Sequence, residues 1–199
     1  MNLSLRRSLF IFLLMSPYIL VFVVIMNTHP SDLLNTGLRF CGLFGFLSLS
    51  LGAIMNLLKK EIKVILGQPF INVHHIFVLT GLVLITIHPV LYALSIRDFS
   101  VFIPDTSSVL SFLTNGGRVA IILIYIGFIA AIFRSALKGR WVQIHRIVYL
   151  ALILGIIHAN LLGEDLPEPI IRIVYNAIAG VVILTGIIKM RKRYRLMNT

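Results

Sequence analysis

The chain has 199 residues, of which 58% are hydrophobic and 13% charged, with a formal net charge of +11 and a mean hydropathy of +0.98. Soluble domains are about 45–50% apolar and about 25% charged, so a water-soluble catalytic domain is excluded. A single cysteine, Cys41, excludes a disulfide scaffold. The basic residues fall in short patches beside apolar runs, which is how membrane topology is written and not how nucleic acid is bound.

Hydropathy predicts an all-α, single-domain bundle over residues 1–199, with six transmembrane spans at about residues 9–26, 37–58, 71–94, 119–133, 142–162 and 170–188. The first span follows Arg6 and Arg7 as a signal peptide would. No small-x-small cleavage site follows it, however, and Asn27-Thr28-His29-Pro30 reads as a polar turn, so it is expected to be retained. The longest connection, about residues 95–118, contains Ser107 to Leu113, expected to form a short helix at the outer membrane face. The Asn115-Gly116-Gly117 run is expected to end that helix in a turn. There is no internal repeat, phosphate-binding glycine loop or soluble linker in the pattern.

The connections alternate in charge. Arg6, Arg7, Lys59, Lys60, Lys63, Arg134, Lys138, Arg140, Arg146, Lys189, Arg191, Lys192, Arg193 and Arg195 face one side against a single acid, Glu61. Arg39, Arg97, Arg118 and Arg172 share the other side with Asp32, Asp98, Asp105, Glu164, Asp165 and Glu168. The positive-inside rule then places both termini in the cytoplasm, as an even number of spans requires, in a prokaryotic-type inner membrane.

Ionisable residues inside a bilayer are costly and point to function. Of six histidines, His29 lies in an outer loop, His74, His75 and His88 in the third span, and His145 and His158 in the fifth. These two spans run in the same direction, so His74 and His145 belong near the inner face and His88 and His158 nearer the outer one. The separations are about 21 Å and about 19.5 Å along a helix, so the imidazoles form two facing pairs at matched depths. Such pairs are the bis-axial donor set of two b-type haems. A lone membrane histidine more often makes an interhelical hydrogen bond, and a single zinc could not gather all four.

The phasing is uneven. In ideal helices His74 and His88 differ by about 40° in azimuth, but His145 and His158 differ by about 140°. The fifth helix is therefore expected to tilt or bend, with Gly155 allowing a bend or close approach and Pro89 bending the third helix. His75 is worse phased with His88 and is an alternative inner ligand.

The run Gly139-Arg140-Trp141-Val142-Gln143-Ile144-His145-Arg146-Ile147-Val148-Tyr149-Leu150, followed by His158, resembles the fifth-helix signature of the ferric-reductase-like transmembrane domain family. The stretch from His74 through His88-Pro89-Val90-Leu91-Tyr92 resembles its partner helix. The likeness is closest to the bacterial single-domain branch, the haem-binding membrane subunits of methionine-sulfoxide reductase systems. NADPH oxidases and eukaryotic ferric reductases are similar in the same two helices. The resemblance implies an inner haem on His74 and His145 and an outer haem on His88 and His158. It further implies electron flow to an extracytoplasmic acceptor: ferric iron, oxygen or a partner reductase. The chain stops at Thr199 without a flavin or nicotinamide domain. Its expected donor is therefore a separate protein, a flavin at the cytoplasmic face, or the quinone pool.

Secondary candidates surround these four. Trp141 reads as an interfacial anchor or as lying against a flavin or haem edge. Lys138, Arg140 and Arg146 read as topology signals, propionate partners or a dock for an acidic donor. Arg97 and Arg118, against the charge trend, read as snorkelling helix ends or as partners of an outer propionate or anionic acceptor. Two other function classes remain at this stage: a histidine-lined metal or small-solute transporter, and a structural anchor for an electron-transfer complex.

Overall fold

The computed structural model describes residues 2–28 and 32–197, with side chains as far as residue 191. His29 thus lies outside the described residues, as do the side chains of Lys192, Arg193 and Arg195. The regular structure among the described residues is helical throughout. Its elements are α1 (Leu3–Asn27), α2 (Leu33–Ile54), α3 (Lys59–Leu66), α4 (Phe70–Ile96), α5 (Val109–Thr114), α6 (Gly116–Ile132), α7 (Arg134–Leu137), α8 (Trp141–His145), α9 (Ile147–Leu162) and α10 (Pro169–Met197). Short 3-10 turns at Met55–Leu57, Phe99–Phe102 and Lys138–Arg140 join some of them.

Five helical stretches are long and apolar enough to cross a membrane: Leu3–Asn27, Leu33–Leu57, Phe70–Ile96, Arg134–Leu162 and Pro169–Arg191. A sixth apolar helix, Gly116–Ile132, is shorter, at 17 residues. This is the architecture of a multi-pass helical membrane protein.

The bundle is built around α2, which packs on α1, α4, α9 and α10. Its core-facing side chains include Phe46, Leu47 and Leu49, which meet Val21 and Ile25 of α1, Leu152 of α9 and Tyr175 of α10. Close approach of α2 to α4 depends on small residues, because a bilayer supplies no hydrophobic drive between helices and packing must be intimate. A Cβ on Gly45 would stand 3.0 Å from the Ile85 backbone nitrogen, and one on Gly81 would stand 2.8 Å from that of Leu49. Cys41 is buried and free.

The bundle has a basic end and an acidic end. At the basic end the amphipathic α3 buries Ile62 with Met55, against Phe10 and Leu14 of α1, and Gly67 closes it in the left-handed conformation, φ 68°. This helix was not foreseen, because eight residues with three lysines read as loop charge. At the acidic end Arg39 of α2 pairs with Asp165 in the α9–α10 connection and also donates to the Thr28 hydroxyl after α1. Asp165 is buried and Arg39 half-buried.

The Asn115-Gly116-Gly117 run ends α5 as expected, but the turn is Asn115 alone, and both glycines open α6 instead of lying in it. They are small because they pack, a Cβ on Gly116 coming within 3.3 Å of the Leu154 carbonyl. The fifth apolar stretch is not one smooth helix, in line with the bend that its histidine phasing called for. It breaks at Arg146, whose carbonyl accepts from Tyr149 N at 3.0 Å, a tightened i−3 turn.

Candidate functional site: four imidazoles on two helix pairs

His74 and His88 lie on α4, which packs along α2, whereas His145 ends α8 and His158 lies on α9, which packs along α6. His74 and His145 are close enough for their charges to act on one another, and so are His88 and His158. His74 and His145 thus lie near one another towards the basic end, and His88 and His158 towards the acidic end. Helices α4 and α9 are not packed against each other along their length; α2 and α6 flank the space between them.

All four imidazoles are held in the same way. His74 Nδ1 donates to the Gly52 carbonyl at 3.0 Å, and His88 Nδ1 to the Leu38 carbonyl at 2.9 Å. His145 Nδ1 donates to the Gly127 carbonyl at 2.9 Å, and His158 Nδ1 to the Thr114 carbonyl at 2.6 Å. A carbonyl oxygen can only accept, so each ring must carry its proton on Nδ1. In the neutral ring Nε2 then holds a free lone pair, the state in which histidine ligates a metal, with the second nitrogen fixing tautomer and ring plane. The ordinary role of a membrane histidine and the ligand role are thus met together, one on each ring nitrogen.

The two pairs repeat in further detail. The acceptors Leu38 and Gly52 have the same spacing as His88 and His74, and Thr114 and Gly127 the same as His158 and His145. On α2 a Cβ at Gly42 would stand 2.9 Å from His88 Nδ1, and on α6 a Cβ at Gly117 would stand 2.8 Å from His158 Cδ2. Towards the basic end a Cβ at Gly52 would meet Val78 Cγ2 at 2.6 Å, and one at Gly127 would meet Val148 Cγ2 at 2.5 Å. These four glycines let each neighbouring helix approach the histidine-bearing helix closely enough for its carbonyl to reach the imidazole. The sequence did carry this signal: Gly42 and Gly52 are ten residues apart, as are Gly117 and Gly127. The repeat is one of helix pairs, and residue-by-residue similarity does not reveal it.

The tightened turn at Arg146 bears on the phase problem. Each residue wound at three per turn advances about 20° further than in an α-helix, which moves His145 towards the azimuth of His158. Gly155 is not a bend; a Cβ there would touch the Phe46 ring at 3.6 Å, so it serves close packing on α2. Pro89 lies inside α4, which continues to Ile96. One hydrogen bond ties α4 to α6, between the hydroxyls of Thr86 and Tyr125 at 2.7 Å.

The secondary candidates separate. His75 is exposed, makes no carbonyl hydrogen bond of this kind among the described residues, and lies 6.0 Å from the His74 ring, centroid to centroid. Trp141 is half-buried and packs on His145 at 5.9 Å, while Phe70 stacks on His74 at 5.3 Å. Each basic-end imidazole thus has an aromatic ring one turn nearer that end. Arg140 sits in the 3-10 turn before α8. Lys138, in the same turn, has φ 49° without being glycine. Arg118 is close to His158, and its guanidinium donates to the carbonyls of Ile103 at 2.9 Å and Ser100 at 3.3 Å. Arg97 caps α4 in the left-handed conformation.

The donor set suits a group that takes two axial nitrogens and supplies its own equatorial ligands, as haem does. Among the described residues no three histidine, cysteine or acidic side chains converge, so no tetrahedral all-protein metal site is present there. No family model, no curated protein and no solved structure matches the chain.

Proposed function

We propose that this protein is a six-span, di-haem b-type membrane cytochrome of the ferric-reductase-like class. Its termini lie in the cytoplasm, and it passes electrons from a cytoplasmic-side donor to an extracytoplasmic acceptor. The observation that carries this reading is the common state of four imidazoles: Nδ1 committed to a carbonyl, Nε2 free, in two pairs at two depths. The charge pattern supports the orientation, with the basic end cytoplasmic. Gly116–Ile132 serves as the fourth span; 17 residues cover about 26 Å, and α5 and the residues around it extend that reach at the acidic end.

His74 and His145 are the inner ligands, and His88 and His158 the outer ones. A bound haem at each level would supply one-electron redox chemistry, with potential set by ligand basicity and surroundings. The chain's own residues fix the ligands and keep water away. The carbonyls of Gly52, Leu38, Gly127 and Thr114 orient the rings and raise their basicity. Phe70 and Trp141 screen the inner imidazoles on the donor side. The basic end attracts an acidic donor protein or a flavin phosphate, whereas an uncharged quinol would reach the inner site through the bilayer; the acceptor is ferric iron, oxygen or a partner reductase.

The test is the visible spectrum of the purified chain. Dithionite reduction should sharpen a b-type Soret band and raise an α band. A haem-free preparation that moves a metal or small solute across proteoliposomes would replace this reading with a transporter.

A further inference from the structure

Three of the four imidazole acceptors, Leu38, Gly52 and Gly127, lie within helices of 17 residues or more. The fourth does not. Thr114 is the last residue of α5, a six-residue helix, far too short to hold itself together. Its carbonyl nevertheless accepts the shortest of the four imidazole hydrogen bonds.

Phe112 and Leu113 pack α5 against the core, and a set of polar ties in the segment before α6 fixes its end. The Asp105 carboxylate accepts from Ser107 N at 3.0 Å and from the Ser111 hydroxyl. Ser108 caps the helix through Ser111 N at 3.0 Å, and Asn115 Nδ2 returns to the Ser111 carbonyl at 3.1 Å. From α6, Arg118 reaches back to the carbonyls of Ile103 and Ser100, beside Asp98, which accepts from Ser100 N at 2.8 Å. Residues 98–114 thus form a small lobe at the acidic end, tied at one end to Arg118 and at the other to His158.

We infer that Asp105 and Arg118 are positioning residues for His158: they hold the lobe so that the Thr114 carbonyl fixes the tautomer and ring plane of that ligand. The inference rests on the haem reading above for its redox consequence, but the tautomer is a property of the chain alone. The outer site therefore differs from the inner one in having a ligand whose orientation is set by a surface element. Contacts made with that lobe from outside would be felt at His158 and not at His74 or His145.

The experiment uses the full chain in detergent, labelled with 15N-histidine, as wild type, Asp105→Ala, Asp105→Asn and Arg118→Gln. His158→Gln assigns the His158 resonances. In the wild type freed of haem, His158 should show a protonated Nδ1 and a bare Nε2. Asp105→Ala and Arg118→Gln should replace this with an averaged tautomer signal at His158 and leave His88, His74 and His145 unchanged. Asp105→Asn, which keeps an acceptor oxygen for Ser111, should restore much of the wild-type signal. In haem-loaded protein the same variants should shift one of two midpoint potentials and leave the other in place. Unchanged His158 resonances in both Asp105→Ala and Arg118→Gln would overturn the inference, as would equal changes at all four histidines. A wild type without haem would sink the haem reading alone, with the tautomer result still deciding this one.

Discussion

In the first helix pair, α2 and α4 run unbroken for 22 and 27 residues. Both acceptors of its imidazole protons, Leu38 and Gly52, sit in one helix. The second pair places two histidines and two carbonyls in the same relation but assembles them from pieces. Its ligand helix breaks at Arg146, α6 has 17 residues, and one acceptor comes from α5. The first pair owes its geometry to helix regularity; the second owes its geometry to the turns and polar ties around it. The same imidazole–carbonyl arrangement is therefore held by scaffolds of different regularity, and the one carbonyl supplied by a short helix, that of Thr114, lies at the acidic end.

The two pairs are joined at the acidic end by the half-buried Arg39–Asp165 contact, between α2 and the connection that follows α9. Removing Arg39 strands the buried Asp165 charge, and because Arg39 itself is half-exposed and screened the cost is about 1–3 kcal/mol. Asp165→Ala and Arg39→Ala should each lower stability by about that amount in a denaturant or thermal assay, with the double variant less affected than the sum. Additive losses would mean that the pair is not the clamp between the halves.

Effects of similar size should distinguish the scaffolds. Gly52→Ala sets a methyl against Val78 in the first pair, and Gly127→Ala sets one against Val148 in the second. Overpacking costs about 1–3 kcal/mol, and Val78→Ala or Val148→Ala in the same chain should recover part of it. The unbroken α2–α4 pair has less freedom to shift, so the Gly52→Ala loss should be the larger of the two in paired unfolding measurements. Equal losses would remove the distinction in rigidity. Gly180→Ala, with nothing within 4 Å of the new methyl, is the control, and it should be neutral or stabilising by up to about 1 kcal/mol.

The smallest effect is one of pH, confined to the lobe. Hydrogen bonds from Ser111 and Ser107 pull the Asp105 carboxyl down to about 2, and those from Ser100 lower that of Asp98. A depressed carboxyl stabilises the fold above its ordinary range and loses that contribution as pH falls through its folded value. Amide exchange across residues 105–114, corrected for intrinsic rates, should be flat from pH 7 to 5 and rise as pH drops from about 4 towards 2. Exchange in α2 should not follow it. A lobe that opens between pH 7 and 5 would show that these carboxylates do not hold it.

Much of this arrangement can be read in the amino-acid sequence, for reasons that differ by feature. Apolar run length marks the helices, and histidine spacing marks the two levels, because both are properties of side chains counted along one helix. The acceptors at Leu38 and Thr114 leave no such trace, since any residue has a carbonyl. The glycines at 42, 52, 117 and 127 do leave one, but only as a matched spacing on two helices not adjacent in sequence. Gly116 and Gly117 look like a turn because glycine punctuates loops more often than it opens a packed helix. The α3 helix is hidden because its stability comes from burying Ile62 against α1, a tertiary contact. The azimuth of His145 relative to His158 depends on the tightened turn at Arg146, which ideal-helix arithmetic leaves out.

The central claim is that four particular imidazoles, and not His75, are ligands at two levels. Haem content per chain, measured by pyridine haemochrome in purified wild type and in five single His→Ala variants, tests it most directly. The account predicts about two haems in the wild type and in His75→Ala, and about one in each of His74→Ala, His88→Ala, His145→Ala and His158→Ala. No haem in the wild type, or a His75→Ala variant that loses one while His74→Ala keeps both, would contradict it.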